Sequence, residues 1–412
     1  MTYRVTAPTT LHCDMTVDLP ASKSLSNRAL ILQGLCPTPC VLSNVSDCDD
    51  TMVMRSAFDP DASHHCHADD GARIVDIGAA GTSMRFLTAY FATRQGAEIL
   101  LTGSARMKQR PISLLVDALR QLGAQITYAE TEGYPPLRIH GRRLQGGALT
   151  IDGSVSSQYI SALLMVAPTL ANGLDLTLTG RITSVPYIMM TLQMMRQFGV
   201  EMTWDRTCEV IHIAPQTYTA QSYIIESDWS AASYWYEISA LGNVTTWRMK
   251  GLFSPSLQGD AAIATIFDKL LQRPERLTLD LASQPDLAQT VIVTCCALGI
   301  AFSISGLHTL RIKETDRVLA LEQELRKLGY VVTDSTTDST IVMQWDGTRC
   351  TADEHPVIST YKDHRMAMAF APMALVMHGR SIDIDDPDVV SKSYPQYWQH
   401  LQQAGFAVEP AV

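Results

Sequence analysis

The chain has 412 residues, 46% of them hydrophobic and 18% charged. That is enough apolar mass for two domains, because single cores stop growing near roughly 250–300 residues. A formal net charge of −10 argues against broad affinity for nucleic acid or anionic membranes, so any anion must be met by a local cluster of cations. The longest apolar stretches, such as ISALLMVAPTL, are too short and interrupted for a span of about 20 residues. The N-terminus lacks the basic-then-apolar pattern of a secretion signal, and the expectation is a cytoplasmic protein without a transmembrane segment.

In chain order, short strand-like stretches bounded by Gly, Asp and Pro alternate with helical patterns. The strands include AEILLTG, ALTIDG, LDLTLTG, EVIHIAP, RLTLDL and SIDIDD. One class of helix opens with small polar residues and then turns apolar: SKSLSNRALIL, AGTSMRFLTAYF, SVSSQYISALLM, SDWSAASYWYEIS, DLAQTVIVTCCAL and DHRMAMAFAPMAL. A second class is amphipathic and ends at a glycine suited to the left-handed C-cap: LLVDALRQLGA, TLQMMRQFGV, LEQELRKLGY and YWQHLQQAGF. Gly123 and Gly199 are about 76 residues apart, as are Gly329 and Gly405, which predicts an internally duplicated chain of about six small α/β modules.

The openings of the first class carry the chemistry. A helix N-terminus presents unpaired N–H groups and about half a positive charge to an anion. Ordinary N-capping by Ser, Thr and Asp explains any single opening; several with added Lys, Arg or Gln suggest a shared ligand. The densest run is RIKETDR, residues 311–317, which puts three cations and two carboxylates ahead of an amphipathic helix. By itself it reads equally as a solvated helix start with ion pairs or as a site that holds an anion and moves a proton.

The nine cysteines are scattered and odd in number, and several lie in apolar runs such as VTCCALGI, as reduced small hydrophobes do. The cluster His64-His65-Cys66-His67 has no second ligand group nearby, so no metal is expected. There is neither a GxGxxG fingerprint nor a P-loop, and no cofactor is expected.

Seven motifs, LPASKSLSNRAL, AAGTSMRFL, LTGSARMKQRPI, GSVSSQYISALL, RIKETDR, KDHRMAMAF and SKSYP, resemble in order and spacing the 5-enolpyruvylshikimate-3-phosphate synthase family, over about residues 15–408. The resemblance implies an α/β (α+β) enolpyruvyl transferase fold. Its two domains would each hold three repeats of a βαβαββ-like unit, with buried helices pointing their N-termini at an interdomain cleft. The first strand, about residues 1–20, would join 229–412 in a discontinuous domain, and 21–228 would form the inserted one. It implies transfer of the enolpyruvyl group of phosphoenolpyruvate to the 5-hydroxyl of shikimate 3-phosphate, with release of phosphate through a tetrahedral adduct. A monomer with two small-molecule substrates and no nucleic-acid or membrane partner is the corresponding expectation.

Residue by residue, the resemblance assigns catalysis to Lys23, Asp286 and Glu314. Shikimate 3-phosphate would meet Lys23, Ser24, Arg28, Ser156, Ser157, Gln158, Ser184, Tyr187, Asp286 and Lys313. Phosphoenolpyruvate would meet Lys23, Gly81, Arg110, Gln158, Arg317, Arg365 and Lys392, with His364 in support. The two substrates bring about −5 to −6 of charge, taking each phosphate as roughly −1.5 to −2, and seven motif cations stand against it. Asp316 has no ligand role and reads as structural. The chain departs from the family's wording at Ala21, Ala79, Phe86, Val185 and Thr309. Ala79 and Phe86 flank Gly81, which predicts an altered fit near phosphoenolpyruvate and leaves the response to glyphosate open.

Two other readings stand beside this one. The related transferase acting on UDP-N-acetylglucosamine typically has a Lys-Asn pair and a loop cysteine where this chain has Lys23-Ser24 and SARMKQRPI. A catalytically silent anion-binding relative would have no need of Lys23, Asp286 and Glu314.

Overall fold

The computed structural model describes residues 1–12, 14–59, 66–244, 247–336 and 340–411. The chain divides into two compact units, Met1–Pro20 with Ser227–Val412, and Ala21–Glu226. The second crossing thus falls after Glu226, where the sequence reading put it after 228. Residues 1–20, expected as one strand, hold two, β1 (Thr2–Thr6) and β2 (Thr16–Asp18). Pro8, which lacks an N–H for a ladder, lies between them.

After β2 come α1 (Lys23–Leu35), β3 (Val41–Ser43) and α2 (Asp49–Ala57). A complete βαβαββ repeat follows: β4 (Arg73–Asp76), α3 (Gly81–Ala92), β5 (Glu98–Thr102), α4 (Ser113–Gln121), β6 (Gln125–Tyr128) and β7 (Leu137–His140). The next has the same order: β8 (Gly147–Asp152), α5 (Ser157–Val166), β9 (Leu174–Thr179), α6 (Val185–Gln197), β10 (Thr203–Asp205) and β11 (Val210–Ile213). A partial repeat then runs β12 (Ser222–Ile224), α7 (Trp229–Gly242), β13 (Arg248–Lys250) and α8 (Ile263–Leu271). The third complete repeat is β14 (Arg276–Asp280), α9 (Ala288–Leu298), β15 (Ala301–Ser305), α10 (Arg317–Lys327), β16 (Thr333–Thr336) and β17 (Ile341–Trp345). The chain closes with β18 (Val357–Ile358), α11 (His364–Phe370), β19 (Ser381–Asp385), α12 (Tyr397–Gln403) and β20 (Ala407–Pro410).

The repeats share one sheet topology. In β4-β5-β7-β6 the first pair is parallel and the other two antiparallel. The orders β8-β9-β11-β10 and β14-β15-β17-β16 follow the same rule. In β18-β19-β1-β20 the N-terminal strand takes the place of the missing fourth strand, so the two chain ends complete one repeat. The partial repeats exchange strands instead: β2 pairs with β13 and β3 with β12, both parallel.

The two helix classes have two locations. The polar-opening helices α1, α3 and α5 of one unit, and α7, α9 and α11 of the other, are buried on nearly every side, as their apolar composition requires. The glycine-ended helices α4, α6, α10 and α12 bury one face, as α4 does with Leu115, Val116, Ala118 and Leu119. Their glycines Gly123, Gly199, Gly329 and Gly405 all have positive φ, which only glycine adopts without strain. The expected helix DHRMAMAFAPMAL is α helical only to Phe370 and continues as a 3-10 turn over Ala371–Leu375, because Pro372 cannot donate to the ladder.

Candidate active site

In the unit Ala21–Glu226, candidate residues gather at the openings of α1, α3 and α5. Ser22 caps α1 by accepting from the Leu25 N–H at 3.4 Å, and Lys23 and Ser24 follow as its first residues. Lys23 Nζ lies 3.2 Å from Asp50 Oδ2. The Asp50 carbonyl in turn accepts from Ser83 Oγ at 3.1 Å, tying α2 to α3. Gly81 opens α3, and a β-carbon added there would stand 2.6 Å from Arg110 Nη1, so this glycine is what lets the guanidinium lie against the helix start. Ser156 caps α5 through the Gln158 N–H at 3.3 Å, with Ser157 between them. Gln158 Nε2 donates to Thr82 Oγ1 at 3.1 Å, joining the α5 opening to the α3 opening.

Arg28 lies one turn deeper. It donates to Thr191 Oγ1 at 2.8 Å, the Ser24 carbonyl at 3.0 Å, Ser161 Oγ at 3.1 Å and the Tyr187 carbonyl at 3.4 Å. Most of its five N–H donors are thus engaged by the protein. Burial pushes its pKa down to about 10, only partly offset by Tyr187. Phe86 lies beneath it, with the guanidinium carbon 5.3 Å from the ring centroid. Five positions along a helix turn the side chain roughly 140° away, so Phe86 bears on Arg28 rather than on the Gly81 face. Ser184, ahead of α6, is held in the left-handed region at φ 54° and accepts the Tyr187 N–H at 3.0 Å.

In the other unit the openings of α7, α9, α10 and α11 meet around Arg317 and Arg365. Asp286, in the 3-10 turn before α9, lies 2.9 Å from Arg317 Nη1, 3.0 Å from Arg365 Nη2 and 3.5 Å from Lys313 Nζ. Glu314 is 3.0 Å from Arg317 Nη2 and 3.2 Å from Lys392 Nζ. Asp363 caps α11 through the Arg365 N–H at 3.0 Å and grips Arg317 at Nε, 2.7 Å, and Nη2, 3.3 Å. Asp316 caps α10 through the Leu319 N–H and holds Arg311, the structural part expected of it. His364, the first residue of α11, is buried with Nδ1 3.7 Å from Asp363 Oδ1.

Charge here is balanced internally. Burial pushes the Asp286 carboxyl up, but Arg365, Lys313 and Arg317 together hold it well below the usual carboxylate range. Burial lowers Arg317, and Asp363, Glu314 and Asp286 more than reverse that. A count of motif cations alone therefore overstates what a ligand would find, because in this unit carboxylates already occupy them.

Sequence reasoning missed Asp50 and Asp363. Asp50 sits in the acidic run DCDDT and Asp363 in the motif KDHR, but neither position reveals its partner. Of the departures from the family's wording, Ala79 is exposed, and the buried Thr309 hydroxyl has no hydrogen-bond partner among the described residues. Among the described residues no group of three or more His, Cys, Asp or Glu is placed to hold a metal, and no helix is long and apolar enough to cross a membrane. His64 and His65 lie outside the described residues, while Cys66 is exposed and His67 forms a bridge with Arg73.

Comparison with known proteins identifies the family. The family model for EPSP synthase (3-phosphoshikimate 1-carboxyvinyltransferase) matches residues 8–401. The 3-phosphoshikimate 1-carboxyvinyltransferase of Bacteroides fragilis strain YCH46 is 49% identical, over 99% of each chain. That of Psychromonas ingrahamii is 37% identical, over 94% of this chain and 96% of its own. In fold, the chain is similar to the EPSP synthase of Acinetobacter baumannii, with a TM-score of 0.73 over 100% of both chains at 18% identity. The repeats, the polar helix openings and these matches agree: the chain belongs to the EPSP synthase (3-phosphoshikimate 1-carboxyvinyltransferase) family.

Proposed function

We propose that this protein is a 3-phosphoshikimate 1-carboxyvinyltransferase of the shikimate pathway, serving chorismate and aromatic amino-acid synthesis. It would transfer the enolpyruvyl group of phosphoenolpyruvate to the 5-hydroxyl of shikimate 3-phosphate. The observation that carries this is the pair of carboxylates Asp286 and Glu314, both held by Arg317, Asp286 also by Arg365 and Lys313 and Glu314 also by Lys392. That set supplies two proton-transfer groups among cations suited to phosphate and carboxylate. Curated relatives at 49% and 37% identity bear this activity's name, which favours it over transfer to UDP-N-acetylglucosamine.

Phosphoenolpyruvate is assigned to Lys23, Gly81, Arg110, Gln158, Arg317, Arg365 and Lys392. Shikimate 3-phosphate is assigned to Lys23, Ser24, Arg28, Ser156, Ser157, Gln158, Ser184, Tyr187, Asp286 and Lys313. In the addition step the 5-hydroxyl attacks C2 and gives its proton to Asp286 while C3 gains one from Glu314. In the elimination step the adduct gives a C3 proton back to Glu314 and expels phosphate, which takes the proton held by Asp286, and Lys23 balances developing charge. His364 supports Arg365 from within α11.

Asp286 has a condition attached to its role. While three cations hold it, its pKa is too low for a useful base. Anionic substrates compete for the same guanidiniums, and as Arg317 and Arg365 turn to phosphate or carboxylate the Asp286 pKa rises. Base strength thus accompanies substrate binding, and an unliganded site does not take up stray protons at neutral pH.

We also propose a cytoplasmic monomer acting on these two small molecules without a nucleic-acid or membrane partner, consistent with the net charge of −10. A coupled phosphate-release assay with both substrates at saturation tests the activity. Phosphate release that requires both substrates supports it, and none under those conditions overturns it.

A further inference from the structure

Arg365 is held from two directions, and only one of them involves a residue assigned above. Its Nη2 lies 3.0 Å from Asp286 Oδ2 and also donates to Ser230 Oγ at 3.4 Å. Ser230 is in the first turn of α7. On its far side Ser230 Oγ donates to Asp260 Oδ2, from the 3-10 turn Gly259–Ala262. Nη1 reaches Tyr234 Oη at 3.4 Å. Ser230 and Asp260 are both buried, at 8% and 5% exposure, and 30 residues apart in the chain. Ser230, Asp286 and Arg365 thus bring the openings of three buried helices to one guanidinium.

We propose that Asp260 and Ser230 form a positioning pair that holds Arg365 in the orientation needed to bind phosphoenolpyruvate, and that the proton state of Asp260 sets how firmly Ser230 is held as an acceptor for that guanidinium. This rests on the function proposed above. A serine hydroxyl has one hydrogen and two lone pairs. With Asp260 ionised, the Ser230 hydrogen is directed to the carboxylate, and a lone pair is turned to Arg365. With Asp260 protonated, the acid donates to Ser230 Oγ. The charge-assisted bond that fixed the hydroxyl is then gone, and the serine oxygen, no longer polarised by a carboxylate, is a weaker acceptor for Arg365.

The switch falls in a usable range. Burial is the main cause that raises the Asp260 carboxyl to about 6, with Asp286 and Asp228 adding to it and Ser230 and Arg365 opposing. Among the groups facing Asp260 are Asp228 at the cap of α7, Ser230 within α7, Asp286 before α9 and Arg365 in α11.

The expected result is that KM for phosphoenolpyruvate rises about three- to tenfold as pH falls from 7 to 5, the effect of a hydrogen bond worth about 1 kcal/mol. Asp260→Asn keeps an acceptor for the Ser230 hydroxyl without titrating, so this part of the pH dependence disappears. Ser230→Ala raises KM at pH 7 and also removes it, with the effect falling on KM more than on kcat in both variants. The substrate's own phosphate titrates near pH 6, so the difference between wild type and variant carries the test. A turnover-independent reading is the carboxyl 13C shift of Asp260 in the wild type, assigned by its loss in Asp260→Asn.

Titration of that resonance between pH 5 and 7 together with a flattened KM profile in both variants supports the pair. Either variant retaining the wild-type profile overturns it, as does a resonance that does not titrate in that range, even if a variant is less stable. A wild-type protein without turnover would instead remove the proposed function, leaving the resonance to decide the Asp260 ionisation.

Discussion

The Arg110 guanidinium lies so close to Gly81 that a β-carbon on the glycine would be 2.6 Å from Nη1 and 3.1 Å from Cζ. Gly81 has ordinary helical geometry, so alanine strains no backbone, and the flexible arginine is what must move. Gly81→Ala should therefore raise KM for phosphoenolpyruvate about 10- to 100-fold, the effect of a weakened charge-assisted bond of about 1.5–3 kcal/mol. Thermal stability should hardly change. Steady-state kinetics beside a melting curve check this, and an unchanged KM would mean that Arg110 does not meet that substrate.

Glu314→Gln should lower kcat about 10²- to 10⁴-fold, the usual contribution of a general acid, while both KM values stay within a few-fold. Glutamine retains an acceptor for Arg317 and Lys392 but holds no transferable proton. Equal losses in kcat and in binding would make Glu314 a holder of those two cations instead.

Asp363→Asn removes the charge opposite the most buried arginine of the cluster, with Asp363 at 0% and Arg317 at 2% side-chain exposure. Breaking such a pair typically costs about 3–5 kcal/mol. The midpoint of unfolding should fall by roughly 6–20 °C at about 2–4 °C per kcal/mol. Calorimetry at pH 7 reads this, and a shift of a degree or two would show that Glu314 and Asp286 suffice to hold Arg317.

Glu237 lies fully buried in α7 with no cation bonded to it among the described residues, and burial keeps its pKa well above the ordinary carboxyl value, opposed by Thr294. A raised folded-state pKa means that the folded chain holds a proton that the unfolded chain releases. Its contribution to stability is fully present below about pH 4.5 and declines as pH rises through the folded value. Glu237→Gln, neutral at every pH, should raise the unfolding midpoint by about 2–4 °C at pH 8 for a gain near 1 kcal/mol. The difference should close toward pH 4.5. Melting curves at both pH values decide it, and a constant difference would show that ionisation of Glu237 is not involved.

Much of the fold was legible in the chain. The four glycine-ended patterns are α4, α6, α10 and α12, one for each complete repeat, because a helix that must stop and reverse over a sheet needs a left-handed residue. The polar-opening patterns are the six buried helices, whose caps and first turns hold about half of the residues singled out. Less legible were the pairings across the chain. β1 completes the last repeat from the opposite terminus, and β2 and β12 pair outside their own partial repeats. Strand pairing is a long-range choice that local propensity does not encode.

RIKETDR shows where the division lies. Sequence alone determined that residues 311–317 put cations and carboxylates at the start of an amphipathic helix, since composition and period are local properties. Only the tertiary structure decided which charges are answered. Arg317 is met by Asp363 from 46 residues away, Lys313 by Asp286, and Glu314 by Lys392. The same holds for Lys23 with Asp50 and for Ser230 with Asp260. Burial strips water from these groups and leaves their charge to nearby partners, and folding alone brings those partners together.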